Sequence, residues 1–110
     1  MIQDRIDKLE EKVRAAQNIH DETRSELLTL LSGLKVEIEA LAKTHEEDAR
    51  SIARFADVST LEATRPDKKP QSVDAALTGL NSSIENFETT HPHLTQIVNR
   101  LATVLSSVGI

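Results

Sequence analysis

The chain has 110 residues, no cysteine, no tryptophan or tyrosine, two phenylalanines, and 18 acidic against 13 basic side chains for a net charge of −5. That length fits one domain, and the absence of thiols excludes disulfides, thiolate metal sites and cysteine nucleophiles, the usual condition of a small cytosolic protein. With so few aromatics the core falls to Leu, Ile, Val and Ala, which suits helix seams better than a β-sandwich or a nucleotide pocket.

The apolar fraction of 38% lies below the roughly 45 to 50% of typical globular chains, so a thin private core is expected. The charge is unevenly placed. The whole acidic excess falls in residues 18–64, densest at Glu46-Glu47-Asp48. No basic stripe for a phosphate backbone is present, which argues against nucleic acid as a partner. Residues 1–7 are charged and periodic and carry no signal-peptide core. No run approaches the about 18 apolar residues of a membrane span. A soluble, cytoplasmic protein is the expectation.

In chain order, Ile2, Ile6, Leu9, Val13 and Ala16 recur at four- and three-residue spacing. This puts them on one stripe of a helix over residues 2–17. Asn18 to Asp21 then offer capping side chains, with Asp21 and Glu22 suited to the positive end of a second helix. Leu27, Leu31, Leu34, Ile38 and Leu41 repeat the spacing over residues 22–43 or beyond, and Leu28 and Leu30 widen the stripe toward more than one neighbour. Gly33 inside this helix marks either a close helix approach or a tolerated glycine. Past Lys43 the same register gives His45, Asp48, Ile52, Phe55 and Ser59, a weak stripe that predicts an extended, partly exposed second helix with room for an interruption.

The prolines and charges of Arg65-Pro66-Asp67-Lys68-Lys69-Pro70 predict a linker over residues 65–71. Ser72 then serves as N-cap of a third helix, over residues 72–89, with the stripe Val73, Leu77, Leu80, Ile84 and Phe87. Pro92 marks a corner, and a last helix over residues 92–108 carries Leu94, Ile97, Val98, Leu101, Val104, Leu105 and Val108. The other face of that helix is polar but almost uncharged, with Arg100 the only full charge after Glu88. Such a helix suits a bundle interior or an interface between copies.

The ending Phe87-Glu88-Thr89-Thr90-His91-Pro92-His93-Leu94, followed by Arg100, Leu101, Leu105 and Gly109-Ile110, resembles a short bacterial helical family of unknown function. Its members close with an FExxHPxL corner and a helix finishing on glycine-isoleucine. The hairpin residues Glu26, Leu27, Leu28, Leu31 and Ile38 to Leu41 look similar to the front of the same family. Residues 45–71 form a longer connection than the resemblance implies. It implies a small helical fold and carries no catalytic residues.

Chemistry has few footholds. His91 and His93 flank Pro92 and could join Glu88 around a divalent ion, but a zinc site needs three or four fixed ligands and no second pair stands at motif spacing. The plainer reading has His91 packing at the corner and His93 on the surface. His20 and His45 are single histidines beside acids, without the exposed, lysine-flanked setting of a phosphorelay. Glu46 and Glu47 are adjacent and point about 100° apart on a helix, which does not suit paired acid and base work.

These observations predict an all-α, single-domain protein of four main helices. Residues 1–64 form a hairpin with an extended second helix, 65–71 a linker and 72–110 a second hairpin, in a bundle or coiled-coil-like assembly completed by oligomerisation. The expected function is a non-enzymatic, self-associating interaction or scaffold module without cofactor. A dimer is favoured, another helical protein is a second possible partner, and neither nucleic acid nor membrane is engaged. The expected interface is Leu94, Ile97, Val98, Leu101, Leu105 and Val108. The alternative is a small-ligand or metal-responsive regulator using the His91/His93 corner.

Overall fold

The aliphatic stripes fold as expected, but into five helices. The structure is a computed structural model that describes residues 2–109, with side chains described to Val108; the closing Ile110 of the resemblance lies outside these residues. The helices are α1 (Ile2–Ala15), α2 (Asp21–Ala42), α3 (Glu46–Thr64), α4 (Pro70–Ser83) and α5 (Pro92–Gly109), with a 3-10 turn at Glu85–Phe87 before α5. Among the described residues there is no strand, and no helix is long and apolar enough to cross a membrane.

The extra helix comes from a sharp turn at Lys43, Thr44 and His45. The Leu41 carbonyl accepts the backbone N–H of Thr44 at 3.1 Å and of His45 at 2.8 Å, which ends α2 within one residue of its last apolar position. Glu46, Glu47 and Asp48 then fill the first turn of α3. The densest acidic point of the sequence is therefore a helix start, where negative charge is favoured by the unpaired N–H groups and the helix dipole.

The α3 helix is not the peripheral piece that the continued register implied. It packs on all four other helices, most extensively on α4. Its buried face is Ala49, Ile52, Ala53, Ala56, Ser59, Thr60 and Ala63, a stripe of mostly small residues that lets neighbouring backbones come close. Thr60 satisfies its hydroxyl on the Ala56 carbonyl at 2.8 Å, while Ser59 Oγ has no partner among the described residues. A Cβ built on Gly79 of α4 would press into the Phe55 ring, so a larger residue there requires the ring to shift. Gly33 is milder: a Cβ there would meet Ile97 Cδ1 at 3.3 Å, which identifies it as a close approach between α2 and α5.

The linker is shorter than expected. Pro70 occupies the first turn of α4 with Lys69 as N-cap, because proline's missing N–H and fixed φ cost nothing there. Ser72, the expected cap, lies inside the helix. The connecting residues 65–69 are pinned: Asn18 Nδ2 donates to the Arg65 carbonyl at 3.3 Å and Lys68 Nζ to the Val108 carbonyl at 2.8 Å. At its other end α4 stops at Ser83 rather than continuing to residue 89. Asn81, Ser82 and Ser83 are weak helix formers, and Ser83 Oγ bonds the Leu80 carbonyl at 2.6 Å, competing with the helical ladder. The 3-10 turn still carries Phe87 into the core.

The core is completed within one chain. The α2 residues Leu27, Leu31, Leu34, Ile38 and Leu41 are fully buried, and α2 packs on α1, α3 and α5. Its 22 residues span about 33 Å at the helical rise, close to the 37 Å length of the molecule, so one helix supports both ends. Arg24 fastens α1 to it. Its guanidinium donates to the carbonyls of Val13, Ala16 and Ile19 at 3.0, 2.6 and 3.2 Å, binding the end of α1 and the turn that leads into α2.

Candidate functional site

The expected interface is largely core. Leu94, Val98, Leu101 and Leu105 are fully buried, and Ile97 and Val108 pack partly buried against the same cluster. The aliphatic face of α5 is thus consumed by the chain's own helices and leaves those four side chains no surface to offer. The misreading has a physical cause: α3, with its alanine stripe, supplies the missing neighbour that a second copy had been expected to provide.

The histidine corner is also rearranged. His93 Nδ1 lies 3.4 Å from Glu37 on α2, and Glu88 is exposed in the turn. The ring that His91 meets is that of His45, with centroids 6.3 Å apart, and both imidazoles stand edge-on to Phe87 at 5.4 Å. The two corners have the same local build. Thr44 Oγ1 pairs with His45 Nδ1 at 2.8 Å and Thr90 Oγ1 with His91 Nδ1 at 2.9 Å, and each histidine carbonyl receives an N–H from the helix that follows it. His91 is a packing residue at the corner and His93 a surface residue. His20 is the N-cap of α2 without a side-chain cap bond. Among the described residues no three His, Cys, Asp or Glu side chains converge in a way that could hold a metal ion.

Two surface grooves remain. The larger, about 890 Å³, lies among α1, α2 and α3. Arg5, Lys8 and Lys12 line its α1 wall, Arg50 and Arg54 its α3 wall, and Lys43 stands at the end of α2. Asp4, Glu39, Glu46 and Asp57 are interspersed. Six bases and four acids therefore share the groove, leaving seven bases against fourteen acids on the rest of the chain. Arg5 reaches across to Asp57 at 3.0 Å and Arg50 pairs with Glu46 at 2.6 Å. Lys8, Lys12, Lys43 and Arg54 make no ion pair among the described residues.

The second groove, about 680 Å³ and shallower, runs between α4 and α5. Leu77 and Ala102 form its apolar part, and Asn81, Asn99, Thr103, Ser106 and Ser107 supply amides and hydroxyls. No ionisable side chain lines it. Exposed large apolar side chains elsewhere are confined to Val36 on α2 and Val58 on α3 among the described residues, so no broad greasy patch competes with the grooves as a contact surface.

A family model described as Domain of unknown function (DUF4404) matches residues 29–110. The match includes residues 45–71, so the long connection that departed from the resemblance, now α3 and its flanking turns, is part of the family's own span. Helix α1 and the start of α2 precede it. Neither the curated proteins nor the solved structures contain a match to the chain.

Proposed function

The chain belongs to the family described as Domain of unknown function (DUF4404), and from that premise we propose that it is a non-enzymatic helical interaction module that pairs with a second copy through the α4–α5 groove. One observation carries this reading: on a chain of net charge −5, that groove is lined by no ionisable side chain. Two like-charged molecules meet there with the least repulsion.

The lining chemistry favours a copy over a stranger. Asn, Ser and Thr side chains both donate and accept hydrogen bonds. A patch built from them is complementary to itself, as a two-fold interface requires. Leu77 and Ala102 form its nearly buried apolar floor, so the amides and hydroxyls carry the contact. The proposal moves the shared surface from the buried face of α5 to its flank, where Asn99 and Thr103 are exposed.

Sedimentation velocity across a wide concentration range tests it. The wild-type chain is expected to shift toward dimer as concentration rises, and Asn99→Lys with Thr103→Lys to hold the chain monomeric at unchanged helicity. A wild-type chain that stays monomeric at millimolar concentration removes the reading.

A further inference from the structure

We infer that the α1–α2–α3 groove is a docking site for a short acidic amphipathic helix of another protein. The inference goes beyond self-pairing and does not depend on it.

The first ground is shape. Arg5, Lys8 and Lys12 follow the three- and four-residue spacing of one helical stripe, as do Glu46, Arg50, Ala53 and Asp57 on the facing wall. From Ile2 to Lys12 the α1 wall runs about 15 Å at the helical rise, nearly three turns of a docked helix. Ala42 lines the groove between these walls, and a small side chain there lets a visiting helix approach closely. The Arg5–Asp57 pair joins the two walls at 3.0 Å, so their spacing is already set in the free chain. Pre-forming a site in this way reduces the ordering cost of association.

The second ground is charge. The groove carries a surplus of two positive charges on a molecule that is acidic everywhere else taken together. Lys8, Lys12, Lys43 and Arg54 are exposed and make no ion pair among the described residues. They stand on both walls and at one end, matching carboxylates along a helix flank rather than a single anionic point. A nucleic-acid strand fits less well, because its phosphates follow one another without a gap and would meet Asp4, Glu39 and Glu46, whereas a helix can carry its glutamates beside the cations and uncharged residues beside those acids. An acidic helix can turn leucine toward the half-buried Ile2 and Ala42 and set its glutamates against the free cations, the helix-in-groove mode of recognition. A second copy of this chain is disfavoured as occupant, since a surface with a surplus of one charge is not complementary to itself.

Fluorescence anisotropy on the full chain tests the inference with a fluorescein-labelled peptide of about three helical turns, leucine on one face and glutamate on the other. Saturable binding is expected, weakened at least about tenfold between low and physiological salt. The charge-reversed Lys8→Glu, Lys12→Glu, Arg54→Glu chain should bind at least about tenfold more weakly, and Arg54→Glu alone should weaken binding in the same direction. All three residues are exposed, and circular dichroism checks that the fold is retained. The Asn99→Lys, Thr103→Lys chain should bind the peptide as the wild type does. Absence of saturable binding, equal binding by the reversed chain, or tighter binding of a duplex DNA of the same length overturns the proposal. A chain that remains monomeric yet binds the peptide sinks the self-pairing and leaves this inference standing.

Discussion

The two grooves lie over one continuous core and differ in what their linings can recognise. Between α4 and α5 every polar lining group is an amide or hydroxyl, able to give and to take a hydrogen bond. Among α1, α2 and α3 the lining is charged, with more bases than acids and four cations that make no ion pair among the described residues. A dual-role surface matches its own copy, while a surface with a surplus of one charge matches something of the opposite charge. The chain's overall acidity points the same way, since it hinders self-approach everywhere except where charge is absent. Ionic strength separates the two: screening would weaken an acidic partner's contacts with the α1–α2–α3 groove and leave hydrogen-bonded contacts at the α4–α5 groove nearly unaffected.

Four substitutions probe how independent the two regions are. The largest effect is expected at Gly79, where α3 from one region packs on α4 from the other. Gly79→Ala places a methyl group against the Phe55 ring, and overpacking of this kind costs about 1–3 kcal/mol, offset only in part by the about 1 kcal/mol of helix propensity that alanine gains. Gly33→Ala should be close to neutral, because the about 1 kcal/mol gained in helix propensity offsets the milder contact with Ile97. Urea unfolding of the pair measures the difference; equal stabilities would mean that Phe55 swings away freely and that the regions are loosely joined.

Arg24→Ala comes next. It removes three hydrogen bonds to the end of α1 and the turn that leads into α2, at a cost of about 1–2 kcal/mol. Faster hydrogen exchange should appear in α1 and not in α5. Uniform acceleration across both helices would show that the α1 wall cannot loosen separately.

The smallest effect is at the α3–α4 connection. The Asp67 carboxyl is held below its ordinary range, first by its own backbone N–H and then by Arg65. A carboxylate depressed in the folded state contributes stability that is present above its unfolded pKa and is lost as pH falls through the folded value. Asp67→Asn should therefore lower the melting temperature slightly at neutral pH and converge with the wild type in acid. The exposure of Asp67 keeps the change small. A gap that widens as pH falls would contradict this sign.

The leucine stripes were legible because large aliphatic side chains at helical spacing report the buried face directly. Leu27 to Leu41 and Val73 to Phe87 are buried as the spacing predicts, the latter even though α4 ends early. What stayed hidden was carried by small residues. Ala49, Ala53, Ala56 and Ala63 bury little area each, so α3 read as a weak continuation of α2 instead of a central helix. Without it the α5 face appeared to need a second copy. Gly79, which drew no attention in the sequence, is the more constrained glycine, because its role depends on a phenylalanine 24 positions away. The grooves were illegible for a related reason. Arg54 lies more than 40 residues from Lys8 and Lys12 along the chain, and nothing local signals that two walls face each other. The uncharged flank of α5 could be seen, but only the position of α4 makes it a groove.

The meeting of His45 and His91 at Phe87 also gives the molecule a built-in reporter. An aromatic ring shifts the resonances of nuclei held beside it, and two of the four imidazoles sit edge-on to Phe87 while His20 and His93 have no ring stacked on them among the described residues. In a proton spectrum the first pair is displaced and the second serves as an internal reference. With no tryptophan or tyrosine to give fluorescence, those two displaced signals follow the joining of the α2–α3 turn to the start of α5, without any label.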